Sequence, residues 1–390
     1  MFDTTVAIVA RNAEATIERA VRSARAQEGC ALLLVDDGSE DRTIEKAVGA
    51  AGGSLRVRNV DQHRTLGHAR QIALEAVDTE FAVWLDADDE CLPGRADQLV
   101  GAMRAEGTDL AVDGAEVRDG ATGAFVRAAP VPPFMMGRRV AARLFERNYL
   151  PIVGPVAFRT AWARSIGYDV AMHGGEDFDL LLRGIAAGGE YSLAPDIGYR
   201  LYTYPHSLSR WLDNQRRMLR YSLAKHDAGV IDRLYARAGY DRRTTIWGHL
   251  SISLFRDEFA AATDWLRELD AGAVPADAVV EPEGPYPFPE GWRLDFHAGT
   301  VALLRGDLAE AADRLAAAER RRPTAEGANN LGVARFRQGQ PDRARQLFAR
   351  ALELRPDYLD PALNAQAERP ERVTTHPFRV SPSREDYPRD

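Results

Sequence analysis

Within the first hundred residues, short apolar runs alternate with stretches of helical period, and this rhythm restricts the fold more than any other feature of the chain. Residues 5–10 (TVAIVA) form a β-branched run, and in residues 12–27 Ile17, Ala20, Val21 and Ala24 recur at helical spacing. A second run, residues 31–35 (ALLLV), leads into Asp36-Asp37-Gly38-Ser39 and a helix over 41–51. Strands over 55–60 and 81–85 bracket a third helix at 66–77. Continuous apolar strands separated by amphipathic helices predict an α/β domain with a parallel sheet covered on both faces. Such sheets bind ligands beyond the carboxyl ends of their strands. Acidic residues stand there: Asp36 and Asp37 after the second strand, and Asp86, Asp88 and Asp89 after the fourth.

At 390 residues the chain is too long for one core, which rarely grows beyond roughly 250–300 residues. The pattern is mixed from 110 to 204, with a proline-rich loop at 128–134, and helical in texture from 211 to 269. The stretch 281–292 (EPEGPYPFPEGW) reads as a linker. The expected organisation is therefore an α/β domain at 1–212, a helical connection at 213–280, the linker at 281–292, helical repeats at 293–366 and a disordered tail at 367–390. A net charge of −8 and a pI near 5.6 argue against nucleic-acid binding through bulk charge. No apolar run reaches the ~18–20 residues of a membrane helix, and the start lacks the pattern of a signal peptide. The expected location is the cytoplasm, where Cys30 and Cys91 would remain thiols.

Two groups of residues carry chemistry. In Asp86-Ala87-Asp88 the carboxylates alternate, so an extended segment presents both on one side, suited to a hard divalent cation that also takes phosphate oxygens. Asp37 can accept from a nucleobase N–H, with Gly38 and Ser39 shaping the turn. Further along, Gly174-Gly175-Glu176-Asp177 precedes an apolar helical run, and a helix N-terminus favours ionised carboxylates.

The strings VAIVARNAEATIERAVRSARAQ, LLVDDGSEDRT and TLGHARQIALEAVDTEFAVWLDADDECLPGRADQL, in that order and spacing, resemble the family 2 glycosyltransferases of the GT-A fold. The likeness covers about the first hundred residues, with weaker echoes to 211. It implies a Rossmann-like nucleotide-diphospho-sugar transferase that binds its donor at the first strand ends. By resemblance, Asp37 reads the base, Asp86, Ala87 and Asp88 form the DxD motif holding Mn²⁺ or Mg²⁺ on the diphosphate, and Asp89 is a further ligand candidate. Arg11, Asn12 and Glu14 in the opening loop, and Arg70, are donor-binding candidates. Glu176-Asp177 matches the acidic pair of inverting members, which makes Asp177 the general base and Glu176 its neighbour toward the acceptor. His206 is a candidate to complete the metal site. The chain departs from the family in lacking the aromatic often found after the first strand, where Arg11 stands. It also has Ser207 where processive members carry glutamine, so processive synthesis is not expected.

Residues Gly299, Gly306, Ala311, Leu315, Ala318 and Pro323 recur as Gly332, Gly339, Ala344, Phe348, Ala351 and Pro356, all offset by 33. Small residues at helix contacts, larger ones between them and a closing proline resemble tetratricopeptide repeats. Such repeats imply a peptide, protein or self-association partner. Two other classes remain open at this point: a nucleotidyltransferase, although its glycine-rich basic loop is missing after Ala10, and a catalytically degenerate scaffold, although Asp37, Asp86, Asp88 and Asp177 are all kept.

Overall fold

The computed structural model describes residues 2–60, 62–132, 135, 138–146, 148–152, 154, 156–204, 212–272, 275–279 and 288–375. They fall into two compact units, Met1–Val230 and Ile231–Asp390. His206 and most of the 281–292 stretch lie outside the described residues.

The first unit is built on a nine-stranded sheet. Strands β1 (Thr4–Ala10), β2 (Cys30–Asp36), β3 (Leu55–Asn59) and β4 (Phe81–Asp86) run parallel in the order β3-β2-β1-β4. The next strand, β8 (Ala157–Arg159), is antiparallel to β4 and also to β6 (Leu110–Asp119). Beyond β6 lie β9 (Tyr191–Thr203) and the short β5 (Glu90–Cys91), while β7 (Phe125–Ala129) pairs with β6 off this path. The whole sheet is therefore mixed, while the four strands expected to run parallel do so. The parallel pattern holds for the strands whose apolar runs alternate with helices, and β8 reverses direction between β4 and β6.

Helix α1 (Ile17–Arg25) buries the predicted stripe, with Ile17, Ala20, Val21 and Ala24 fully shielded. Burying an isoleucine or valine in this way contributes roughly 1.5–3 kcal/mol. Helices α2 (Thr43–Ala51), α3 (Leu66–Ala76) and α4 (Arg95–Glu106) follow β2, β3 and β5. Behind β4, Arg95 makes a fully buried two-point ion pair with Asp113 of β6, Nε–Oδ2 2.8 Å and Nη2–Oδ1 3.0 Å. Helix α5 (Thr160–Ile166) leads to α6 (Glu176–Ala186), which starts from Gly175 in a left-handed turn, φ 70°. Helix α7 (Leu212–Leu223) is tied to the start of α6: Lys225 Nζ lies 2.6 Å from both Asp169 Oδ2 and Asp179 Oδ1, and Ser222 donates to Asp179 at 2.8 Å. These ties keep residues beyond 212 in the first unit.

Helix α8 (Ala228–Arg237) spans the division, and α9 (Arg242–Phe255) and α10 (Phe259–Ala271) open the second unit. There follow α11 (Glu290–Arg305), α12 (Leu308–Arg321), α13 (Ala325–Arg337), α14 (Pro341–Leu354) and α15 (Leu359–Gln366). Phe288 and Trp292 are buried and stacked 4.2 Å apart, so the linker expected to run to 292 ends earlier, where aromatic packing begins. The 33-residue repeat is physical. A methyl at Gly299 would meet Leu315 Cγ at 2.7 Å, and one at Gly332 would meet Phe348 Cε1 at 2.5 Å, so both glycines allow paired helices to approach. The tail expected to be disordered from 367 is ordered through 375, with Val373 and Thr374 buried. Among the described residues no helix is long and apolar enough to cross a membrane.

The Gly332 contact yields a prediction: Gly332→Val should overpack the α13–α14 pair and destabilise the repeat unit by about 1–3 kcal/mol. A thermal melt followed by circular dichroism checks this, and an unchanged curve would contradict the packing.

Candidate active site

Strand register brings the first acidic groups together. Asp36 pairs with Ala10 and Asp86 with Val9, so the carboxyl ends of β2 and β4 flank the end of β1. Asp37 is anchored by its own N–H, which donates to Ala10 O at 2.8 Å. Its side chain is buried, with Oδ2 2.5 Å from His63 Nδ1, while Oδ1 has no hydrogen-bond partner. A buried acceptor without a partner is costly and suits a ligand N–H. In the opening loop Asn12 (φ 49°) accepts from Glu40 N at 2.9 Å and its own N–H donates to Ser39 Oγ at 2.9 Å. The Glu14 N–H donates to Asp41 at 3.0 Å, and the Glu14 carboxylate accepts from Arg42 Nε at 3.4 Å. Both residues thus fix the β1–α1 loop to the loop after β2, whereas Arg11 is exposed.

A second convergence forms where α3 meets the start of α6. Thr65 Oγ1 donates to Val170 O at 2.6 Å and Gly67 N–H to Met172 O at 3.0 Å, docking the first turn of α3 on the loop before α6. Arg70, buried on α3, then reaches both motifs: Nη2 lies 2.7 Å from Asp86 Oδ1 and Nε 3.1 Å from Glu176 Oε1. Burial alone would lower the affinity of Arg70 for its proton, and the Asp86 and Glu176 carboxylates more than offset it. Asp177 stands beside this pair, its Oδ1 accepting from Phe178 N–H at 2.7 Å. A methyl at Gly154 would sit 2.9 Å from Asp177 Oδ2, 3.4 Å from Arg70 Nη2 and 3.5 Å from Asp86 Oδ2. Carboxylates from β4 and α6 therefore face one point, walled by a bare backbone.

Burial raises the pKa of Asp177 above the usual carboxylate value, because Phe158, Tyr168, Leu180 and Leu181 line the hollow around it. Burial, and then the neighbouring Asp177 charge, push Glu176 up to about 8, and Arg70 opposes the shift. At the helix start Asp177 Oδ1 accepts from Phe178 N–H, which opposes the upward shift that burial causes. Glu176 is also more central than a neighbour of the base would be, since it is 1% exposed and ion-paired.

In the motif after β4, Asp86, Ala87 and Asp88 are half-buried and Asp89 is 1% exposed. Burial and the Asp86 charge raise Asp88 to about 6. Asp89 has both oxygens engaged, accepting from Tyr199 OH and from Tyr202 N–H at 2.7 Å each. Its position is that of a brace between β5 and β9 rather than an open ligand. Arg19 holds the backbone of the motif, donating to Asp88 O while lying 3.5 Å above the Tyr202 ring. Among the described residues no group of three or more His, Cys, Asp or Glu side chains is placed to hold a metal ion. Gly154 and His63 were not anticipated from sequence. The only trace of Gly154 was a glycine between Pro151 and Pro155, and His63 lies in a loop that reaches Asp37 across the strand ends.

The first unit thus combines a mixed α/β sheet, acidic strand ends and an acidic pair at a helix start, and a helical repeat region follows it. The glycosyl transferase family 2 profile matches residues 5–166, and the tetratricopeptide repeat profile matches residues 325–358. The chain is 30% identical over 265 residues to the succinoglycan biosynthesis protein ExoU of Rhizobium meliloti (strain 1021), covering 62% of this chain and 76% of that one. It is 30% identical over 220 residues to ExoO of the same organism, covering 54% and 63%. The crystal structure of S. aureus TarS 1–349 shares the fold, with a TM-score of 0.50 at 16% identity over 87% of this chain and 92% of that one. The chain belongs to glycosyl transferase family 2 and is a glycosyltransferase. That membership sets aside the nucleotidyltransferase class.

Two predictions follow from this geometry. A methyl at Gly154 would press on Asp177 Oδ2, so Gly154→Ala should lower kcat about tenfold or more in a sugar-transfer assay while leaving the melting temperature near that of the parent. Because the folded state binds the Glu176 proton more tightly than the unfolded chain, stability from this group is present below about pH 4.5 and is lost as pH rises toward about 8. Between pH 6 and pH 8 the parent should therefore lose more melting temperature than Glu176→Gln. Equal losses would place Glu176 in a more solvated setting.

Proposed function

We propose that the chain transfers a single sugar from a nucleotide-diphospho-sugar to an acceptor hydroxyl with inversion at the anomeric carbon. Asp37 takes the base N–H on its open Oδ1, and Asp86 and Asp88 face the diphosphate. The two carboxylates are hard oxygen donors of the kind Mg²⁺ and Mn²⁺ prefer, and phosphate oxygens would complete a set that protein side chains alone do not. A metal bound there would offset charge on the departing diphosphate. Asp177 Oδ2 receives the proton of the acceptor hydroxyl as its oxygen bonds to the anomeric carbon and the bond to the diphosphate oxygen breaks. Its raised pKa brings its proton affinity nearer to neutral pH, where a general base works best. Arg70 and Glu176 keep the donor and acceptor carboxylates in one frame. The observation that carries the reading is the meeting of Asp86 and Asp177 at Gly154, within 3.5 Å of one point.

Two relatives are named for succinoglycan biosynthesis, which favours a saccharide acceptor. Asp177→Asn should lower kcat by about 10² to 10⁴ with little change in donor affinity. Asp88→Asn should keep the fold and lose the metal-dependent part of nucleotide-diphosphate binding, measured by calorimetry with and without Mn²⁺. A product of retained anomeric configuration, read by NMR from the parent enzyme, would overturn the single-displacement mechanism.

A further inference from the structure

Three side chains spaced four residues apart, Arg19 and Ser23 on α1 and Gln27 just beyond its end, hold the main chain that carries the acidic motif. Positions i and i+4 share one face of a helix, here a face other than the buried stripe of Ile17, Ala20, Val21 and Ala24. Ser23 Oγ accepts from Cys91 N–H at 3.1 Å, while Gln27 donates to Leu92 O at 3.0 Å and accepts from Ala96 N–H at 3.1 Å. Those ties lie past the motif. Arg19 reaches the motif itself, donating from Nη2 to Asp88 O.

The Arg19 guanidinium is fixed in its turn. Its Nη2 also donates to Tyr204 OH at 3.1 Å, and the group lies 3.5 Å from the centre of the Tyr202 ring. Tyr202 is anchored at both ends, its N–H donating to Asp89 Oδ1 at 2.7 Å and its OH to Glu90 Oε2 at 2.6 Å. A planar cation stacked on an anchored ring has little freedom to turn, so the direction of its N–H is set before any ligand arrives.

The motif that it holds is a closed turn: Asp86 N–H donates to Tyr199 OH at 3.3 Å, and Asp89 N–H to Asp86 O at 3.2 Å. The tie at Asp88 O fixes the peptide plane between Asp88 and Asp89, and with it the direction in which the Asp88 side chain leaves the backbone. Asp86 is oriented separately, by Arg70 Nη2 at 2.7 Å from its Oδ1. Each of the two carboxylates therefore has its own arginine, one acting on the side chain and the other through the main chain.

We propose that Arg19 is a positioning residue for metal binding: by fixing the Asp88 carbonyl it holds the Asp88 carboxylate at the spacing from Asp86 that a divalent cation on a nucleotide diphosphate requires. The inference rests on the proposed role of Asp86 and Asp88 toward the diphosphate. A carboxylate ordered in advance does not have to be ordered on binding, and that saving appears as metal affinity.

Uracil and guanine both present a ring N–H of the kind that suits Asp37 Oδ1, so the probes are Mn²⁺ with UDP and Mn²⁺ with GDP, on the full chain. With whichever nucleotide supports uptake, Arg19→Met should raise the Mn²⁺ concentration for half-saturation about tenfold or more, read from the loss of the free Mn²⁺ EPR signal. Metal-free nucleotide affinity, read by calorimetry, should stay within about twofold of the parent, because the tie acts on the metal ligand. Arg19→Lys keeps a charge and a donor for Asp88 O but not the stacked plane, and should recover part of the loss. Arg22→Met removes an equal charge from the same helix, where Arg22 pairs with Glu18, and should match the parent. Parent-like Mn²⁺ uptake in Arg19→Met, or an equal loss in Arg22→Met, would overturn the proposal. So would an equal fall in metal-free and metal-dependent nucleotide binding, which would make Arg19 a general support of the fold. If Arg19→Met fails to fold by circular dichroism, Arg19→Lys decides, weakened uptake supporting the proposal and parent-like uptake overturning it. A parent that takes up no Mn²⁺ with either nucleotide would refute the metal reading of Asp86 and Asp88, and this inference with it, before any variant is compared.

Discussion

One buried guanidinium links the two acidic motifs. Arg70 comes from α3, and it touches Asp86 on β4 and Glu176 at the start of α6. A Lys could not span them, since the planar fork of Arg presents separate N–H groups at fixed angles. Three carboxylates, those of Asp86, Glu176 and Asp177, share this one positive charge, and burial first, then the neighbouring carboxylates, raises the proton affinity of Glu176 and Asp177. The site is held together by an interaction too small to neutralise it. Like charges crowded in low dielectric reduce stability, a cost that functional sites commonly carry.

The support behind that site is of another kind. The Arg95–Asp113 pair is closed, buried on both sides and satisfied at two points; it fixes α4 against β6, and Arg95 Nη1 also donates to Trp84 O of β4 at 3.2 Å. Its function is geometric, because a pair so enclosed exchanges nothing with solvent. Between them lies the Asp89 brace, where Tyr199 and Tyr202 of β9 hold the carboxylate that ends the acidic motif. The carboxyl ends of the strands are thus backed by satisfied charges, while Asp37 Oδ1 and Glu176 Oε2 are without partners.

Much of this was legible in the chain, and the reason is locality. The α1 stripe of Ile17, Ala20, Val21 and Ala24 is a periodicity within one helix, and every member is buried. The acidic strand ends could be placed because a parallel sheet aligns its carboxyl termini, as the Ala10–Asp36 and Val9–Asp86 register does. The 33-residue offset survived because Gly332 against Phe348 repeats Gly299 against Leu315. What escaped depended on distant parts of the chain meeting. Gly154 has no signature beyond its flanking prolines, and the ion pair of Glu176 requires a helix a hundred residues earlier. The segment around Thr374 read as disorder because its polar, proline-containing composition says nothing about backbone bonds supplied by asparagines elsewhere.

The chain meets most of its need for positive charge with arginine; Lys46 and Lys225 are its only lysines. Neither amine is idle. Lys46 Nζ donates to Glu14 O at 2.7 Å, and Lys225 bridges Asp169 and Asp179 where α7 joins α6. Amine-directed reagents, whether cross-linkers, dyes or surface-coupling esters, would therefore find few lysine targets, and those two would be joints of the transferase unit. Acylating Lys225 would remove the cation between Asp169 and Asp179 at the start of α6, so a labelling yield at that position would report how often α7 lifts from α6.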